Sequence, residues 1–304
     1  MINVLHLGLS YACNMRCKHC YVHKSTDSLD LNAVKDVIKE LVDNYGLFIV
    51  YYTYGEPLLA SSFNEITRFC NSLNLVQILM TNGSLINEKT TDIIVNNGFS
   101  RVYVSLDSSE AKQHDSNRNY DGAYISALRA IEMLKERGVH VGIATTVTAT
   151  NVHQLDKIWQ IALECNVDAI SFLRERTQGR IFLIKDIDIY FKFVEDYLIK
   201  ASHQRRNSSL PNLFLHDPTI LSLITRLHKE EQISDFVFEK YYEMNKCHYD
   251  STLSIDPGGN IYHCNLVPQK IGQLSAQQID KILERKEKFN EHPICCSAIS
   301  WADK

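Results

Sequence analysis

Hydrophobic and polar positions alternate along the first 172 residues in a pattern that predicts six strand–helix units. Apolar runs rich in Val, Ile, Leu and Tyr are the expected strands, at Val4–Leu9, Leu47–Tyr52, Leu75–Met80, Arg101–Leu106, Val139–Val147 and Ala169–Leu173. Apolar residues recur at helical spacing between them, at Asn32–Tyr45, Ser62–Ser72, Asn87–Asn96, Gly122–Arg137 and Val152–Cys165. This order predicts an α/β fold with a parallel sheet. Because eight such units close a barrel, six predict an open, partial (β/α)6 barrel.

The pattern changes after Phe172, and this change suggests three parts of the chain. Residues 1–172 are the expected barrel, and residues 173–245 read as a helical bridging segment around a polar loop. Residues 246–304 combine short β-prone runs, turns and cysteines, which predicts a small hairpin-plus-helix domain. Its hairpin turn is expected at Asp256–Gly259, between two β-prone runs.

Composition excludes several broad classes of function. The formal net charge is −4 and no long Lys/Arg block occurs, so nucleic-acid binding has little support. Met1 leads straight into the first strand and no apolar run reaches 18 residues, so neither a signal peptide nor a membrane span is expected. Nine cysteines in such a chain indicate metal ligands in a reducing cytoplasm rather than disulfides.

Three cysteines directly after the first predicted strand carry the strongest chemical signal. Cys13, Cys17 and Cys20 have the spacing C-x3-C-x2-C. Three thiolates can hold three irons of a [4Fe–4S] cluster, which leaves the fourth iron without a protein ligand from this loop. Zinc is the alternative, but zinc sites usually pair C-x2-C with a second such pair or with two histidines, and no partner lies nearby.

This loop resembles the cluster motif of the radical S-adenosylmethionine (SAM) superfamily, including the ring residue, His19, before the last cysteine. The resemblance implies that the fourth iron binds SAM through its amino and carboxylate groups. An electron from the cluster then cleaves SAM to a 5′-deoxyadenosyl radical, which abstracts hydrogen from a substrate carbon. It also implies a partial (β/α)6 barrel, with functional residues at the carboxyl ends of the strands.

The turn after the second strand, Thr53-Tyr54-Gly55-Glu56-Pro57, resembles the Gly-Gly-Glu-Pro turn of the family. The resemblance implies that Gly55 and Glu56 contact the SAM ammonium, Gly55 through its backbone and Glu56 through its carboxylate. Tyr54 departs from the family, because a bulky ring stands where the first glycine is usual. This ring either shapes the substrate pocket or packs into the barrel wall.

Two further segments of the sequence also resemble those of the family. Ser105 ends the fourth strand, and Arg118 follows in the string His-Asp-Ser-Asn-Arg. The resemblance implies that both contact SAM, with Arg118 on its carboxylate, a group that a guanidinium binds in a bidentate manner. A surface charge is the alternative for Arg118. Thr146, near the end of the fifth strand, is a candidate for the ribose pocket, although strand propensity explains it equally well.

A second cysteine group consists of Cys247, Cys264, Cys295 and Cys296. The strings around Cys264 resemble the SPASM/twitch extension of radical SAM enzymes, and four cysteines fit a twitch domain with one auxiliary [4Fe–4S] cluster. Adjacent side chains of an extended chain point to opposite sides, so Cys295 and Cys296 are not expected to act equally. A Cys247–Cys264 disulfide is the alternative, and a reducing cell disfavours it.

The resemblance implies an enzyme but leaves the substrate open. The expected reaction is the post-translational modification of a ribosomally made precursor peptide, by crosslinking, epimerisation or excision. The alternatives are oxidation or epimerisation of an amino sugar or other small molecule and, more distantly, a non-catalytic iron–sulfur or zinc protein. A reducing electron donor is required, and the peptide leader could be recognised by a separate protein, because no N-terminal recognition domain is evident.

Overall fold

The computed structural model describes residues 1–22, 29–177, 180–181, 184–203, 211–215, 217–245, 251–264, 267–274, 279 and 281–283. Twelve strands lie in this part of the chain: β1 Val4–Gly8, β2 Ile49–Thr53, β3 Val76–Thr81, β4 Phe99–Ser105, β5 Val141–Val147, β6 Ala169–Arg174, β7 Arg176–Thr177, β8 Arg180–Ile181, β9 Asn212–Phe214, β10 Thr252–Ile255, β11 Asn260–Cys264 and β12 Val267–Gln273. Nine α-helices accompany them: α1 Leu31–Tyr45, α2 Phe63–Ser72, α3 Glu88–Asn96, α4 Ala111–Arg118, α5 Ala123–Glu136, α6 Leu155–Glu164, α7 Ile187–His203, α8 Leu221–Lys229 and α9 Asp235–Asn245.

Ten of these strands form one sheet in the order β12-β11-β10-β1-β2-β3-β4-β5-β6-β9. The strands from β1 to β6 pair in parallel, β9 joins β6 in parallel, and β10 joins β1 in parallel. Among the described strands, β12 and β9 are the two edges, so the sheet is open. The predicted α/β class and the partial barrel of parallel strands are therefore confirmed.

The sheet has two apolar faces that differ in what covers them. Residues such as Leu5, Val50 and Leu79 are fully buried against the helices, where Ile38 and Ile131 meet them in the main core. A smaller cluster comes from strands alone: Ile78, Tyr103, Ala144 and Ala169, with Ile49, Tyr51, Met80 and Phe214 packed on it. Because these side chains alternate with the helix-facing ones, the second cluster marks the concave inner face of the curved sheet.

The predicted helix ends are partly confirmed. Asn87 caps α3 with a reciprocal pair of bonds to Thr90, and Gly46 ends α1 in the left-handed conformation, at φ 79°. The start of α1 differs from the prediction, because Asp30 rather than Asn32 accepts bonds from the first-turn amides. Asp30, two residues before Asn32, is therefore the N-cap, and α1 begins at Leu31.

Three elements of the structure depart from the predicted pattern. Helix α4 was not predicted, because its polar sequence has no apolar stripe. Strand β9 lies at the end of a segment predicted to be a polar loop, and three residues are too few to show alternation. The helical stretch predicted at 219–244 ends at Lys229 and resumes at Asp235, with Glu231 at a φ of 57° between the two helices.

Beyond the barrel, β10 and β11 form the predicted antiparallel hairpin across Asp256–Gly259. Gly259 has a φ of 77°, which glycine adopts without a steric penalty. Strand β10 lies directly beside β1, so the hairpin extends the barrel sheet next to the cysteine loop. None of the described helices is long and apolar enough to cross a bilayer.

Candidate active site

Three turns at the carboxyl ends of β1, β2 and β3 are held together by hydrogen bonds. The amide of Glu56 donates to the carbonyl of Ala12 at 2.8 Å, which ties the cysteine loop to the turn after β2. Asn14 accepts from the Asn82 side chain at 2.9 Å and donates to Ser84 at 2.8 Å, which ties the same loop to the turn after β3. The loop that carries the three cysteines is thus docked on its neighbours along the sheet.

The other side of the cysteine loop rests on the carboxyl end of α4. The amides of Arg16 and Lys18 donate to the carbonyls of Arg118 and Asn117, at 3.2 and 2.9 Å. These carbonyls have no partner within the helix, so the loop satisfies them. A helix that the hydrophobic pattern missed therefore supports the loop.

None of the three cysteines of this loop forms a disulfide. Cys13 and Cys17 are half-buried and Cys20 is exposed. Burial raises the pKa of the Cys17 thiol, the Arg118 guanidinium opposes that effect, and nearby Cys20 and Cys13 add to it. The three sulfurs therefore share one electrostatic environment. Within the described residues, no three His, Cys, Asp or Glu side chains are arranged to hold a metal ion in this conformation.

Arg118 is buried, so its interpretation as a surface charge is wrong. Its side chain is 9% exposed, and its Nε lies 2.7 Å from Oδ2 of Asp107, whose side chain is 1% exposed. The contact is an ion pair rather than a well-aligned hydrogen bond. An Nη1 donor of the same guanidinium lies 3.8 Å from the Cys17 sulfur. The buried carboxylate of Asp107 therefore fixes a cation against a candidate cluster ligand.

Asp107 is the centre of a charged cluster below the cysteine loop. Burial alone would raise the pKa of its carboxyl, but Arg118, His19 and His114 hold that pKa below its usual range. The amide of Thr146 donates to Oδ1 of Asp107 at 2.9 Å. Asp107 is thus an anion that stays ionised near neutral pH.

The two histidines of this cluster have different contacts. Nε2 of His19 lies 3.6 Å from Oδ2 of Asp107, and burial lowers the pKa of His19. Nδ1 of His114 accepts from the Asp107 amide at 3.0 Å. Burial lowers the pKa of His114 to about 4, so this ring is neutral near neutral pH. His19 therefore lies between the loop and the Asp107 cluster, whereas His114 supports the end of β4.

Glu56 is buried under the cysteine loop, with a side chain already surrounded by donors. Its two oxygens accept from the Thr81 hydroxyl and the Asn82 amide, both at 2.8 Å, and from the Leu58 amide at 3.3 Å. Despite these bonds, burial raises its pKa to about 7. The carboxyl therefore links two turns of the candidate site and changes its charge near neutral pH.

We expect that charge to make the stability of the protein depend on pH. The pKa of Glu56 is about 7 in the folded state and near 4.5 in the unfolded chain, so ionisation opposes folding between these values. The free energy of unfolding should therefore be highest below about pH 4.5 and should fall by about 3 kcal/mol as the pH rises to about 7. Urea unfolding of SAM-free protein across pH 5 to 7.5 measures this slope. Glu56→Gln should flatten it, and an equal slope in that variant would contradict the assignment.

The turn after β2 packs its backbone tightly against the cysteine loop. A Cβ on Gly55 would lie 2.4 Å from the carbonyl oxygen of Ala12, so only glycine fits this approach. Tyr54, in place of the usual family glycine, has a φ of 63°, a strained value for a bulky residue. Its hydroxyl lies 3.0 Å from the Ser254 hydroxyl on β10, and its ring meets Tyr11 edge-on. Tyr54 therefore packs between the cysteine loop and the hairpin.

The remaining predicted site residues lie on or beside the inner face of the sheet. Ser105 and Thr146 are half-buried near the carboxyl ends of β4 and β5, which are paired strands. Cys264 lies at the end of β11 and forms no disulfide, and it is near enough to raise the pKa of Tyr54. Cys247, Cys295 and Cys296 lie outside the described residues.

Sequence reasoning missed several contributors to this site. Asp107 lies two positions after Ser105, but no role was predicted for it, and the Asn14–Ser84 contact leaves no local signal in the sequence. The sequence did hold one signal for the Asp107–Arg118 pair: the acidic residue lies at the end of a barrel strand, eleven positions before the basic one. The pairing itself depends on α4, whose polar sequence concealed it.

Comparison with known proteins shows which family the chain belongs to. A family model described as the radical SAM superfamily matches residues 8–164, more than half of the chain and most of the barrel. The chain belongs to the radical SAM superfamily. Membership in this family makes it an enzyme and implies a [4Fe–4S] cluster and SAM as cofactors.

Relatives of this radical SAM protein differ in their named activities. An AdoMet-dependent heme synthase of Oleidesulfovibrio alaskensis is 32% identical over 153 residues, 49% of this chain and 39% of that protein. An AdoMet-dependent heme synthase of Methanosarcina barkeri is 26% identical over 292 residues, 93% of this chain and 82% of that protein. The subtilosin biosynthesis protein AlbA of Bacillus subtilis is 27% identical over 196 residues, 62% of this chain and 43% of that protein. The match therefore spans under half of two of these relatives.

Solved structures share the fold of this radical SAM chain. The enzyme anSMEcpe with bound AdoMet has a TM-score of 0.72 and 17% identity, covering 95% of this chain and 82% of its own. Streptococcus suis SuiB, bound to its precursor peptide SuiA, has a TM-score of 0.72 and 16% identity, covering 99% of this chain and 67% of its own. At these identities the likeness shows a common fold.

Proposed function

We propose that this radical SAM enzyme abstracts hydrogen from a carbon of a ribosomally made peptide and thereby modifies it. One observation carries the site assignment: a loop with three cysteines, none of them in a disulfide, is docked onto the Gly55–Glu56 turn and onto α4, at the carboxyl edge of the sheet. Functional groups of parallel α/β folds lie at this edge. We place the catalytic [4Fe–4S] cluster on Cys13, Cys17 and Cys20.

The residues around this loop fit a cluster that binds SAM. When bound, the cluster supplies the electron that cleaves SAM to a carbon radical. Arg118, held by Asp107, places its guanidinium beside the Cys17 sulfur, where it can also meet a carboxylate. Gly55 and Glu56 are the proposed partners of the SAM ammonium, because the turn that carries them is tied directly to the cysteine loop. Ser105 and Thr146 then face the rest of SAM from β4 and β5, and the buried setting limits access of water.

A peptide substrate is supported by the activities that related proteins are named for. AlbA is named for subtilosin biosynthesis, and SuiB was solved with a precursor peptide. The half-buried inner-face residues Tyr51, Met80 and Thr146 keep some exposure, so the concave face is open to a substrate. The proposal includes a low-potential electron donor, a cytoplasmic location and, where needed, a separate protein that recognises the peptide leader.

Heme synthesis is the second candidate function. It was not among the reactions that the sequence suggested, and it rests on the Methanosarcina barkeri relative, whose match covers 93% of this chain. That breadth favours tetrapyrrole chemistry over the amino-sugar alternative. Both candidates share the cysteine loop and SAM, and they differ in the molecule that enters the barrel.

Substrate-dependent turnover separates the two candidates. Anaerobically reconstituted enzyme with SAM and a reductant should release 5′-deoxyadenosine slowly alone. A precursor peptide encoded beside the gene should raise the rate at least tenfold and should change mass. If the peptide has no effect, whereas an iron-coproporphyrin raises the rate and changes mass, the peptide proposal is wrong and the heme reading replaces it.

We also propose that the C-terminal segment holds one auxiliary [4Fe–4S] cluster, as in twitch domains. Cys264 supports this proposal, because it forms no disulfide and ends β11 of the hairpin that pairs with β1. Cys247 and at least one of Cys295 and Cys296 would complete the ligand set. The segment 246–304 would then act as a separate functional unit, joined to the barrel 1–172 by residues 173–245.

Iron content tests the auxiliary cluster. Reconstituted wild-type protein should hold about eight irons per chain, four per cluster. Cys264→Ala should lower that number towards four and leave SAM binding at the first cluster intact. Of Cys295→Ala and Cys296→Ala, one should lower iron clearly and the other should spare it. Equal iron in wild type and Cys264→Ala would remove the auxiliary cluster from the account.

A further inference from the structure

The inner face of the barrel carries an arginine whose role the cysteine site does not explain. Arg101 lies near the start of β4, on the same face as Tyr103 and Ser105, because side chains two apart share a face of a strand. Four residues separate Arg101 from Ser105, so it lies about 13 Å deeper in the barrel. Its side chain thus lies deep on the concave face, below the candidate SAM site.

The guanidinium of Arg101 lies between two aromatic rings. Its Cζ atom is 5.9 Å from the centroid of the Tyr103 ring and 5.6 Å from that of Phe214 on β9. Nη1 donates a long hydrogen bond of 3.4 Å to the Tyr103 hydroxyl. Such rings hold the plane of the cation in place but do not neutralise its charge.

The charge of Arg101 lacks a counter-anion in the part of the chain that the structure describes. No described carboxylate lies within 4.0 Å of its nitrogens, and its Nε is buried without a hydrogen-bond acceptor. By contrast, the buried Arg118 and Arg174 each face an aspartate, Asp107 and Asp217. A half-buried cation with unused donors in a fixed fork is suited to bind an anion from outside the chain.

The rings around Arg101 are held in place by specific packing. A Cβ on Gly142 of β5 would lie 2.4 Å from the Tyr103 ring, so this glycine lets the ring lie flat across the strand. Tyr51 stacks on His6, with centroids 5.0 Å apart and planes at 15°. Burial raises the pKa of Tyr51 to about 12, and burial also raises that of Tyr103. Both phenols are therefore protonated donors near the guanidinium.

Small residues lie beside the Tyr103 ring on the next two strands. Ala144 on β5 is the register partner of Ser171 on β6, and Ala169 is the partner of Gly142. Ala144 and Ala169 are buried in the same inner-face cluster as Tyr103. The inner face therefore combines one half-buried cation with two phenol donors that small neighbours allow to pack closely.

We propose that Arg101, with the hydroxyls of Tyr51 and Tyr103, binds a carboxylate of the substrate and so orients it beneath the candidate SAM site. In the peptide proposed above, this group is the side chain of an Asp or Glu, or the C-terminal carboxylate, near the residue that reacts. That the carboxylate belongs to a peptide rests on the proposed function, whereas the anion site itself rests on Arg101 and its neighbours alone.

Binding of two matched probes tests the site without turnover. The α-amide of N-acetyl-L-glutamate carries a single carboxylate, on its side chain, and the α-amide of N-acetyl-L-glutamine is its neutral counterpart. Titration of reconstituted protein, followed by saturation-transfer NMR of the probe, should show at least tenfold tighter binding of the glutamate. Arg101→Met should abolish that preference, Tyr51→Phe should weaken it a few-fold, and Arg101→Lys should retain part of it.

A surface variant and a second carrier complete the experiment. Arg68→Met removes an exposed arginine of α2 and should leave the preference unchanged. Coproporphyrin III, a tetrapyrrole with carboxylate side chains, tests the other source of the same group. If the porphyrin binds in an Arg101-dependent manner and no peptide is turned over, the anion site stands and its substrate is a tetrapyrrole instead of a peptide. Equal binding of both amino-acid probes, or an unchanged preference in a folded Arg101→Met protein, would overturn the proposal.

Discussion

Replacing Cys13, Cys17 and Cys20 together by alanine is expected to abolish SAM cleavage and to remove about four irons per chain. The three cysteines share one loop and form no disulfide, and no other described turn at this edge of the sheet carries cysteines. The loop should keep its position in the variant, because backbone bonds from Glu56 and Lys18 dock it. Loss of activity would then reflect loss of the ligands rather than of the fold.

A single thiol outside the loop supplies the control. Cys165, half-buried at the end of α6, should be replaceable by alanine with normal iron content and normal SAM cleavage. Anaerobic assays of 5′-deoxyadenosine and of iron on both variants make the comparison. Continued release of 5′-deoxyadenosine by the triple variant would refute the assignment of the catalytic cluster to this loop.

Arg118→Met is expected to destabilise the protein by about 3–5 kcal/mol and to weaken SAM binding. The substitution leaves the Asp107 carboxylate, whose side chain is 1% exposed, without its cation. It also removes the donor that lies 3.8 Å from the Cys17 sulfur. Adding Asp107→Asn should restore much of the stability but not SAM binding, because the charge that we propose for the SAM carboxylate stays absent.

Chemical unfolding and equilibrium binding of SAM measure the two effects separately. Arg137→Met is the matched control, because Arg137 pairs with Asp92 at the surface at 2.6 Å, and exposed pairs contribute less than about 1 kcal/mol. Wild-type stability in Arg118→Met would show that the buried pair is not structural. Wild-type SAM affinity in the folded double variant would remove Arg118 from the SAM site.

The predicted strands and helices of the barrel depended on strong local signals. β5 and α5 have long apolar or amphipathic patterns, and both lie within a few residues of their predicted ends. Helix α4 and strand β9 lack such signals, since one is polar throughout and the other has three residues. Their positions follow from tertiary contacts, to the cysteine loop and to β6, which a local pattern does not contain.

The residues of the candidate site likewise divide into those with a local signal in the sequence and those without one. The cysteine spacing and the Gly55–Glu56 turn are local, so the sequence could place them at neighbouring strand ends. The Asp107–Arg118 pair, by contrast, depends on how α4 packs, and only the assembled strands show that Arg101 has no counter-anion among the described residues. Charges close in space but distant in sequence give no pattern that a single sequence reveals.

Electron paramagnetic resonance of the reduced enzyme, with and without SAM, tests the central claim most directly. We expect wild-type protein, reduced anaerobically, to show a [4Fe–4S] signal that changes when SAM is added, because SAM binds the iron without a thiolate. The Cys13, Cys17 and Cys20 triple variant should show no SAM-dependent change. A wild-type spectrum that is identical with and without SAM, or a SAM-dependent change that persists in the triple variant, would contradict the account.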